Sequence, residues 1–346
     1  MNVDYIIVGL GLAGLSFAEQ LQKHGKSYII FENHSQQSSR VAGGLFNPVI
    51  LKRFTLAWNA SEMMDVAISF YQNLEDILGI SVITNMPIRR RFHSIEEQNL
   101  WFEACEQPVL KKYLCSELKK NNNAALEAPF HFGEVRHTGW VNTGHLLTSY
   151  LHYEKKWQCI REESFKYDQL TVASGAILYK DIQAKHIVFA EGFGMKKNPF
   201  FKELPLLGNK GEYLVIRSPE LLLKSVIKSG IFIIPIGNNM YKVGATYNPH
   251  DKSPDITGEA RDHILFKLKE VVKVPFQVLD QVAGIRPTTP DRKPIVGTHP
   301  DYKCMHVFNG LGSRGIIIGP WAAKQLYLHI QQGVSLHEKI DSQRFY

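Results

Sequence analysis

The sequence predicts an α/β protein. A Rossmann-type domain is built from discontinuous segments, with an antiparallel-sheet α+β domain inserted into it. Three observations carry this. A strand, a Gly-x-Gly-x-x-Gly turn, a helix, a second strand and an acid open the chain. Short strands separated by tight turns fill residues 208–246. A second glycine-rich turn precedes the last long helix.

The opening motif has a mechanical reading. Asp4–Val8 is an apolar run that leads directly into Gly9-Leu10-Gly11-Leu12-Ala13-Gly14. Leu15, Ala18, Leu21 and Gln22 fall at helical spacing up to His24. Gly25 stops that helix, and a second apolar run, Ser27–Phe31, ends in Glu32. Gly9 permits the tight turn, Gly11 lets a pyrophosphate approach the backbone, and Gly14 lets helix and strand pack closely. The helix N-terminus offers unpaired N–H groups and a partial positive charge to phosphates. Glu32, eighteen residues past Gly14, can accept from a ribose 2′-hydroxyl, which favours FAD or NAD over NADP. The plainer alternative is a buried βαβ unit whose glycines only shape a turn.

At 346 residues the chain can build a large core, most simply as two domains. Hydrophobic content of 44% against 21% charged excludes a disordered chain. No apolar run reaches the ~20 residues a membrane span needs. Asp4 and the strand pattern argue against a leader peptide. Cys105, Cys115, Cys159 and Cys304 are far apart with no C-x-x-C pair, so no zinc site, other metal site or disulfide framework is expected. A reducing, cytoplasmic setting fits. The net charge of +7 suits an anionic partner, or simply a basic surface. Nothing in the sequence specifies the oligomeric state.

After Glu32 come Asn33, a polar stretch to Arg40, and then Val41-Ala42-Gly43-Gly44-Leu45. The bare Gly43-Gly44 backbone suits close passage beside a flat ligand. Residues 57–78 and 95–118 read as helices, and 81–94 as one or two strands. Arg89-Arg90-Arg91 alternates faces there, as on a solvated edge. A helix over 143–156 has Thr143 as a plausible N-cap. Strands are expected over 160–167, 176–179 and 185–190, the last turning at Ala190-Glu191-Gly192. Residues 208–217, 231–235 and 241–246 form the antiparallel strands. A helix over 256–272, a strand over 281–286, a strand over 304–308 and a helix over 316–331 complete the chain. Residues 1–80, 138–205 and 284–346 are assigned to the nucleotide-binding domain. Residues 81–137 and 206–283 are assigned to the inserted substrate domain.

Three motifs together resemble the FAD-dependent D-amino-acid oxidase superfamily, which includes glycine and sarcosine oxidases. They are Val8–Gly14 with Glu32, the strand-turn Ile187–Gly192, and a C-terminal pair. That pair is Gly284-Ile285-Arg286-Pro287-Thr288-Thr289-Pro290-Asp291 with Gly310-Leu311-Gly312-Ser313-Arg314-Gly315. The resemblance spans nearly the whole chain. The Leu-Gly-Ser-Arg-Gly wording looks closest to the FAD domain of bacterial enzymes that finish 5-methylaminomethyl-uridine in tRNA.

The resemblance implies FAD, held by Gly9, Gly11, Leu12, Ala13, Gly14, Glu32, Asn33, Arg40, Gly43, Gly44 and Leu45. It adds Phe165, Ala190, Gly192, Arg286, Gly310, Gly312, Ser313, Arg314, Gly315 and Ile316. The helix opening at Gly315 would aim its positive end at the flavin pyrimidine edge and favour reduction. Gly284 stands where sarcosine oxidases attach flavin through cysteine, so the FAD is expected to be non-covalent. Arg286 is expected to clasp a substrate carboxylate with two parallel hydrogen bonds; the alternative is a structural arginine braced on Asp291. Arg314 is a second candidate contact for carboxylate or phosphate. Lys242 aligns with an oxygen-activating lysine of sarcosine oxidases, or is a solvent-facing strand lysine. Gly310-Leu311-Gly312 and Ala190-Glu191-Gly192 depart from the usual Gly-His-Gly and Ala-Thr-Gly. The implied activity is oxidation of a C–N bond in a small amine or amino acid by hydride transfer to flavin N5. The alternatives are removal of a carboxymethyl group from a tRNA wobble uridine, with tRNA the less favoured partner, and flavin binding without turnover.

Overall fold

The computed structural model describes residues 1–346 except Ser174. Its first sheet is parallel through five strands, in the order Ile160–Arg161, Tyr28–Phe31, Asn2–Val8, Ile182–Phe189 and Met305–Asn309. Ile295–Thr298 adds antiparallel to the last of these. Ile182–Phe189 is shared: its second half pairs with Met305–Asn309, and its first half with Ala176–Tyr179. These strands are apolar nearly throughout because both faces are covered.

Helices α1 (Leu12–Lys23) and α2 (Ala60–Leu78) pack on one face of this sheet with the last helix of the chain. Phe17, Leu21, Ile30, Val188, Phe308 and Leu326 are buried there. Ile6, Phe31, Phe189, Phe201 and Val307 fill the other face.

The second sheet has eight strands. In order they are Gln277–Thr288, Leu207–Arg217, Met240–Gly244, Phe232–Gly237, Val226–Lys228, Ile88–Arg91, Phe132–Val135 and Leu114–Lys119. All neighbours are antiparallel except Val226–Lys228 with Ile88–Arg91. Helix α3 (Ile95–Glu106) packs through Trp101 against Ile88 and Val135. Helix α4 (Thr143–Lys156) lies back against the first sheet's helices, and α5 (Gly258–Lys269) covers Leu214, Ile233 and Val243. Helix α6 is Gly315–Gln332.

Four local expectations change. The helix expected over 95–118 stops at Glu106, because Gln107 is extended ahead of Pro108, and Leu114–Lys119 is a strand. Arg89-Arg90-Arg91 lies on an interior strand rather than an edge. Arg89 pairs with Glu134 at 3.2 Å, Arg90 donates to Glu97 at 2.8 Å, and Arg91 is buried on the Glu127 carbonyl. The cap of α4 is Asn142, whose Oδ1 accepts from His145 N–H. The strand expected over 160–167 is only Ile160–Arg161, so Phe165 sits in a loop.

Candidate cofactor and substrate site

The first glycine turn is fixed by backbone contact. Gly9 has φ +101°, and a Cβ on it would lie 2.6 Å from the Ala190 carbonyl oxygen. A Cβ on Gly14 would lie 1.9 Å from Gly9 O. Gly11 heads α1 with no side-chain cap, and the first turn, beginning Leu12-Ala13, contains no acid. Leu12 N–H donates to Ser39 Oγ at 3.1 Å. The N–H groups of Leu10 and His34 donate to the two oxygens of Glu32, which is 9% exposed.

Around this turn, Asn33 Nδ2 donates to Ser164 Oγ, anchoring the loop that carries Phe165. Phe165 stacks on Tyr179 and meets the edge of Phe31. Arg40 Nη1 reaches Thr148 at 3.3 Å, while its Nη2 is buried with no partner. A buried guanidinium nitrogen without an acceptor calls for an anion. Gly192 has φ +54°, and its carbonyl accepts from Asn309 Nδ2 at 2.8 Å. Glu191, which departs from the expected threonine, is held by the Tyr167 hydroxyl and by Asn198 Nδ2. Burial pushes its carboxyl up to about 7.

The second glycine turn lies beside the first. A Cβ on Gly315 would meet Leu12 Cδ1 at 3.2 Å, so the starts of α1 and α6 touch. Gly310 and Gly312 both have positive φ. Helix α6, like α1, has no side-chain cap and no acid in its first turn. Its first buried residue after Gly315, Ile316, accepts at its carbonyl from Tyr71. Ser313 is exposed. Arg314 is half-buried and makes no side-chain hydrogen bond or ion pair among the described residues. Burial first, and the nearby Arg292 second, lower its pKa.

Gly43 and Gly44 have packing reasons of their own to be bare. A Cβ on Gly44, at φ +67°, would sit 2.1 Å from Val141 O, and one on Gly43 would sit 2.7 Å from the Tyr213 hydroxyl. Leu45 follows in a short strand paired with Trp140. The second sheet grips this loop again through Lys242, whose Nζ donates to Ala42 O at 2.8 Å. Lys242 is therefore turned inward, against the solvent-facing alternative. Burial pushes its ammonium down to about 8, partly offset by Asp280.

Arg286 lies on Gln277–Thr288, opposite Asn209. A Cβ on Gly211 would fall 1.9 Å from Arg286 Nη2, so the guanidinium lies flat over a bare stretch of neighbouring backbone. Among the described residues it makes one hydrogen bond, Nη1 to Thr246 O at 3.3 Å, which leaves most of its five donors free. The alternative role, bracing Asp291, is taken by Arg344, whose Nε lies 2.9 Å from Asp291 Oδ2. Gly211→Ala should displace the guanidinium and raise KM if this arginine holds substrate, while FAD stays bound. Steady-state KM and flavin absorbance check this together.

Two uncapped helix starts in contact, a carboxylate beyond the first, and an orphaned guanidinium nitrogen on Arg40 suit a bound dinucleotide. The chain belongs to the DAO family of FAD dependent oxidoreductases, whose profile matches residues 4–327. It is 25% identical to glycine oxidase of Bacillus subtilis over 348 residues, covering 92% of this chain and 90% of that protein. It is 24% identical over 345 residues to the tRNA 5-methylaminomethyl-2-thiouridine biosynthesis bifunctional protein of Idiomarina loihiensis. That match covers 93% of this chain and 54% of the relative, so the chain spans about half the length of that relative. The crystal structure of glycine oxidase from Geobacillus kaustophilus superposes with a TM-score of 0.80 at 20% identity, over 97% of this chain and 96% of that one. The protein is an FAD-dependent enzyme, and the cradle described above fits that cofactor. Among the described residues no helix is long and apolar enough to cross a membrane.

Sequence reasoning missed Gly211, Ser39, Tyr213 and Asn309. Only Asn309 borders a motif, as the first residue of the second glycine-rich turn; each matters through a partner distant in sequence. The glycine at 211, inside an otherwise ordinary strand pattern, was the one signal to be had.

Proposed function

We propose that the chain oxidises the C–N bond of a small amine or amino acid. The observation that carries this is Arg286, a half-buried guanidinium with free donors on a flat backbone seat, a geometry that suits a carboxylate. FAD supplies the acceptor, at flavin N5, for the hydride that leaves the substrate α-carbon. The resulting imine then hydrolyses. The chain's own share is binding and orientation: Arg286 holds the carboxylate, and the rigid sheet behind it fixes the α-carbon. We take residues 81–137 and 206–283 as the substrate domain and the remainder as the FAD domain. We take FAD to be non-covalent, with Gly284 seated against Ser38 and Val41 and offering no attachment point.

The test is anaerobic mixing of the yellow protein with glycine, sarcosine and D-amino acids. Bleaching of the flavin by at least one supports the reading; a flavin that none of them bleaches overturns it. Acid precipitation should release the flavin into the supernatant.

Lys242 is proposed to promote the oxidative half of turnover while charged. With its pKa near 8, oxygen-dependent turnover should fall as pH rises through about 8. Lys242→Met should flatten that profile without affecting anaerobic bleaching. The stability sign is the reverse of a salt bridge. The folded pKa lies below the ordinary 10.5, so the unfolded chain binds more protons between about 8 and 10.5. The buried charge therefore opposes folding below pH 8, and the methionine variant should melt higher at neutral pH.

A second reading, oxidative removal of a carboxymethyl group from tRNA, is supported by a cluster of cations beside the second glycine turn. Arg314 lies within electrostatic reach of Arg292, and Lys293 within reach of Lys339, while Arg344 occupies the nearby carboxylate of Asp291. If this surface holds a phosphate backbone, binding of carboxymethylaminomethyl-uridine tRNA will weaken with salt. Arg292→Ala with Lys339→Ala should then reduce the log–log slope by about 2. Salt-independent binding, or none, leaves the small-amine reading alone.

A further inference from the structure

We propose that the Tyr213 hydroxyl is a further substrate contact: it accepts a hydrogen bond from the substrate amine while Arg286 holds the carboxylate. This rests on the amine-oxidising reading above and deepens it. Tyr213 and Gly211 lie two residues apart on Leu207–Arg217, so they share one face of the sheet. Gly211 is the bare seat under the Arg286 guanidinium. Tyr213 stands ~7 Å further along the same strand, a gap that an amino acid of glycine's size, bonded at each end, can bridge.

The ring is aimed by its neighbours. Gly244 stands opposite Tyr213 in the next strand, and a Cβ on it would fall 2.8 Å from Tyr213 Cδ1, so the ring lies against a second bare residue. Lys242 places its ammonium 5.4 Å from the ring centroid. At the far end, the hydroxyl oxygen lies 2.7 Å from the place a Cβ on Gly43 would take. The phenol thus reaches from the sheet that carries Arg286 to the loop proposed to run beside flavin. Among the described residues its hydroxyl makes no hydrogen bond. The residue is half-buried, and the oxygen, unlike Asn209 Oδ1 or Trp140 Nε1, is not sealed from solvent. A reachable phenol with donor and acceptor both free, between a carboxylate grip and a cofactor loop, has an amine as its complement. The direction of the bond follows from the reaction. As the α-hydrogen leaves with its electron pair for flavin N5, the nitrogen lone pair closes the C=N bond and the nitrogen gains positive charge. That lone pair must stay uncommitted, so the amine donates its N–H and the phenol oxygen accepts. The bond strengthens as charge develops on nitrogen, and so favours the transition state over bound substrate.

The test titrates FAD-loaded protein by calorimetry with two carboxylates that carry no amine. Acetate offers the carboxylate alone, and glycolate adds an O–H donor where the amine would sit. Glycolate should bind about tenfold tighter than acetate. Tyr213→Phe removes an oxygen that no other described residue uses. It should bind acetate as wild type does and lose the glycolate advantage. With whichever amine bleaches the wild-type flavin, the same variant should slow anaerobic bleaching at saturating substrate about tenfold. Glycolate binding no tighter than acetate in wild type, or a glycolate preference that survives in Tyr213→Phe, overturns this proposal and leaves the Arg286 grip standing. Binding of neither carboxylate removes the grip and this contact together. A glycolate preference that Tyr213→Phe abolishes, in a protein whose flavin no amine bleaches, upholds the contact and overturns the amine-oxidising reading alone.

Discussion

Arg286→Ala will stay yellow and fold normally, yet its kcat/KM will fall by about 10²–10³. Removing one partner of a hydrogen-bonded charge pair in a desolvated site costs about 2–5 kcal/mol, and each ~1.4 kcal/mol is tenfold. The loss should be carried mainly by KM, because the contact proposed for Arg286 is with the carboxylate rather than with the reacting carbon. Folding should be spared, since among the described residues the side chain makes a single 3.3 Å bond, to Thr246 O, and no ion pair. Arg286→Lys should recover only part of the loss: an ammonium cannot present two parallel donors, and its stem would not lie flat over Gly211. Steady-state kinetics with the substrate that bleaches the flavin fastest provide the check. Equal turnover by wild type and alanine variant would remove Arg286 from the substrate site.

Gly14→Ala is expected to yield colourless protein. The added methyl would meet the Gly9 carbonyl oxygen at 1.9 Å. That atom is backbone, so relief requires the turn itself to move. Overpacking of this kind costs about 1–3 kcal/mol or more, and here it displaces the glycine turn proposed to hold the pyrophosphate. Gly25→Ala is the matched control. Nothing lies within 4 Å of the place its added methyl would take, and its φ of +62° imposes only the left-handed penalty of about 1–2 kcal/mol. It should lose a little thermal stability and keep its colour. Flavin content after reconstitution separates the two; a yellow Gly14→Ala would mean that the turn tolerates what its packing forbids.

These two glycines also show what could be read without coordinates. Gly9, Gly11 and Gly14 announce themselves because their spacing, the flanking strands and Glu32 all lie within one short stretch of chain, so local pattern and tertiary role coincide. The contact between the two helix starts, through Leu12 and Gly315, is displayed by neither turn alone. The misreadings have a different origin. Arg89-Arg90-Arg91 looked solvated because three charges in a row rarely enter a sheet interior. What permits it is a set of acceptors from elsewhere in the chain, Glu97, Glu127 and Glu134, that no periodicity displays. The helix over 95–118 was overextended because the pattern outweighed Pro108. Lys242 turned out to face inward because its partner is a backbone carbonyl, at Ala42, invisible to any reading of side-chain chemistry. Gly211 was legible as a glycine and illegible as a seat, since only the register with Gln277–Thr288 places it under Arg286.

That register has a practical consequence. The strand bearing Arg286 continues straight into the turn at Thr289–Pro294; Thr289 and Ile295, at its two ends, crowd Gly310, and Arg344 clamps Asp291 in the same bend. The proposed carboxylate grip and the second glycine turn are thus joined through one stiff bend. On the proposed reading, shifting Arg286 along its strand to admit a bulkier substrate should disturb cofactor colour and potential together. Changes confined to side chains such as Tyr213 or Ile234, which reach toward Gly43 from other strands, leave that bend in place.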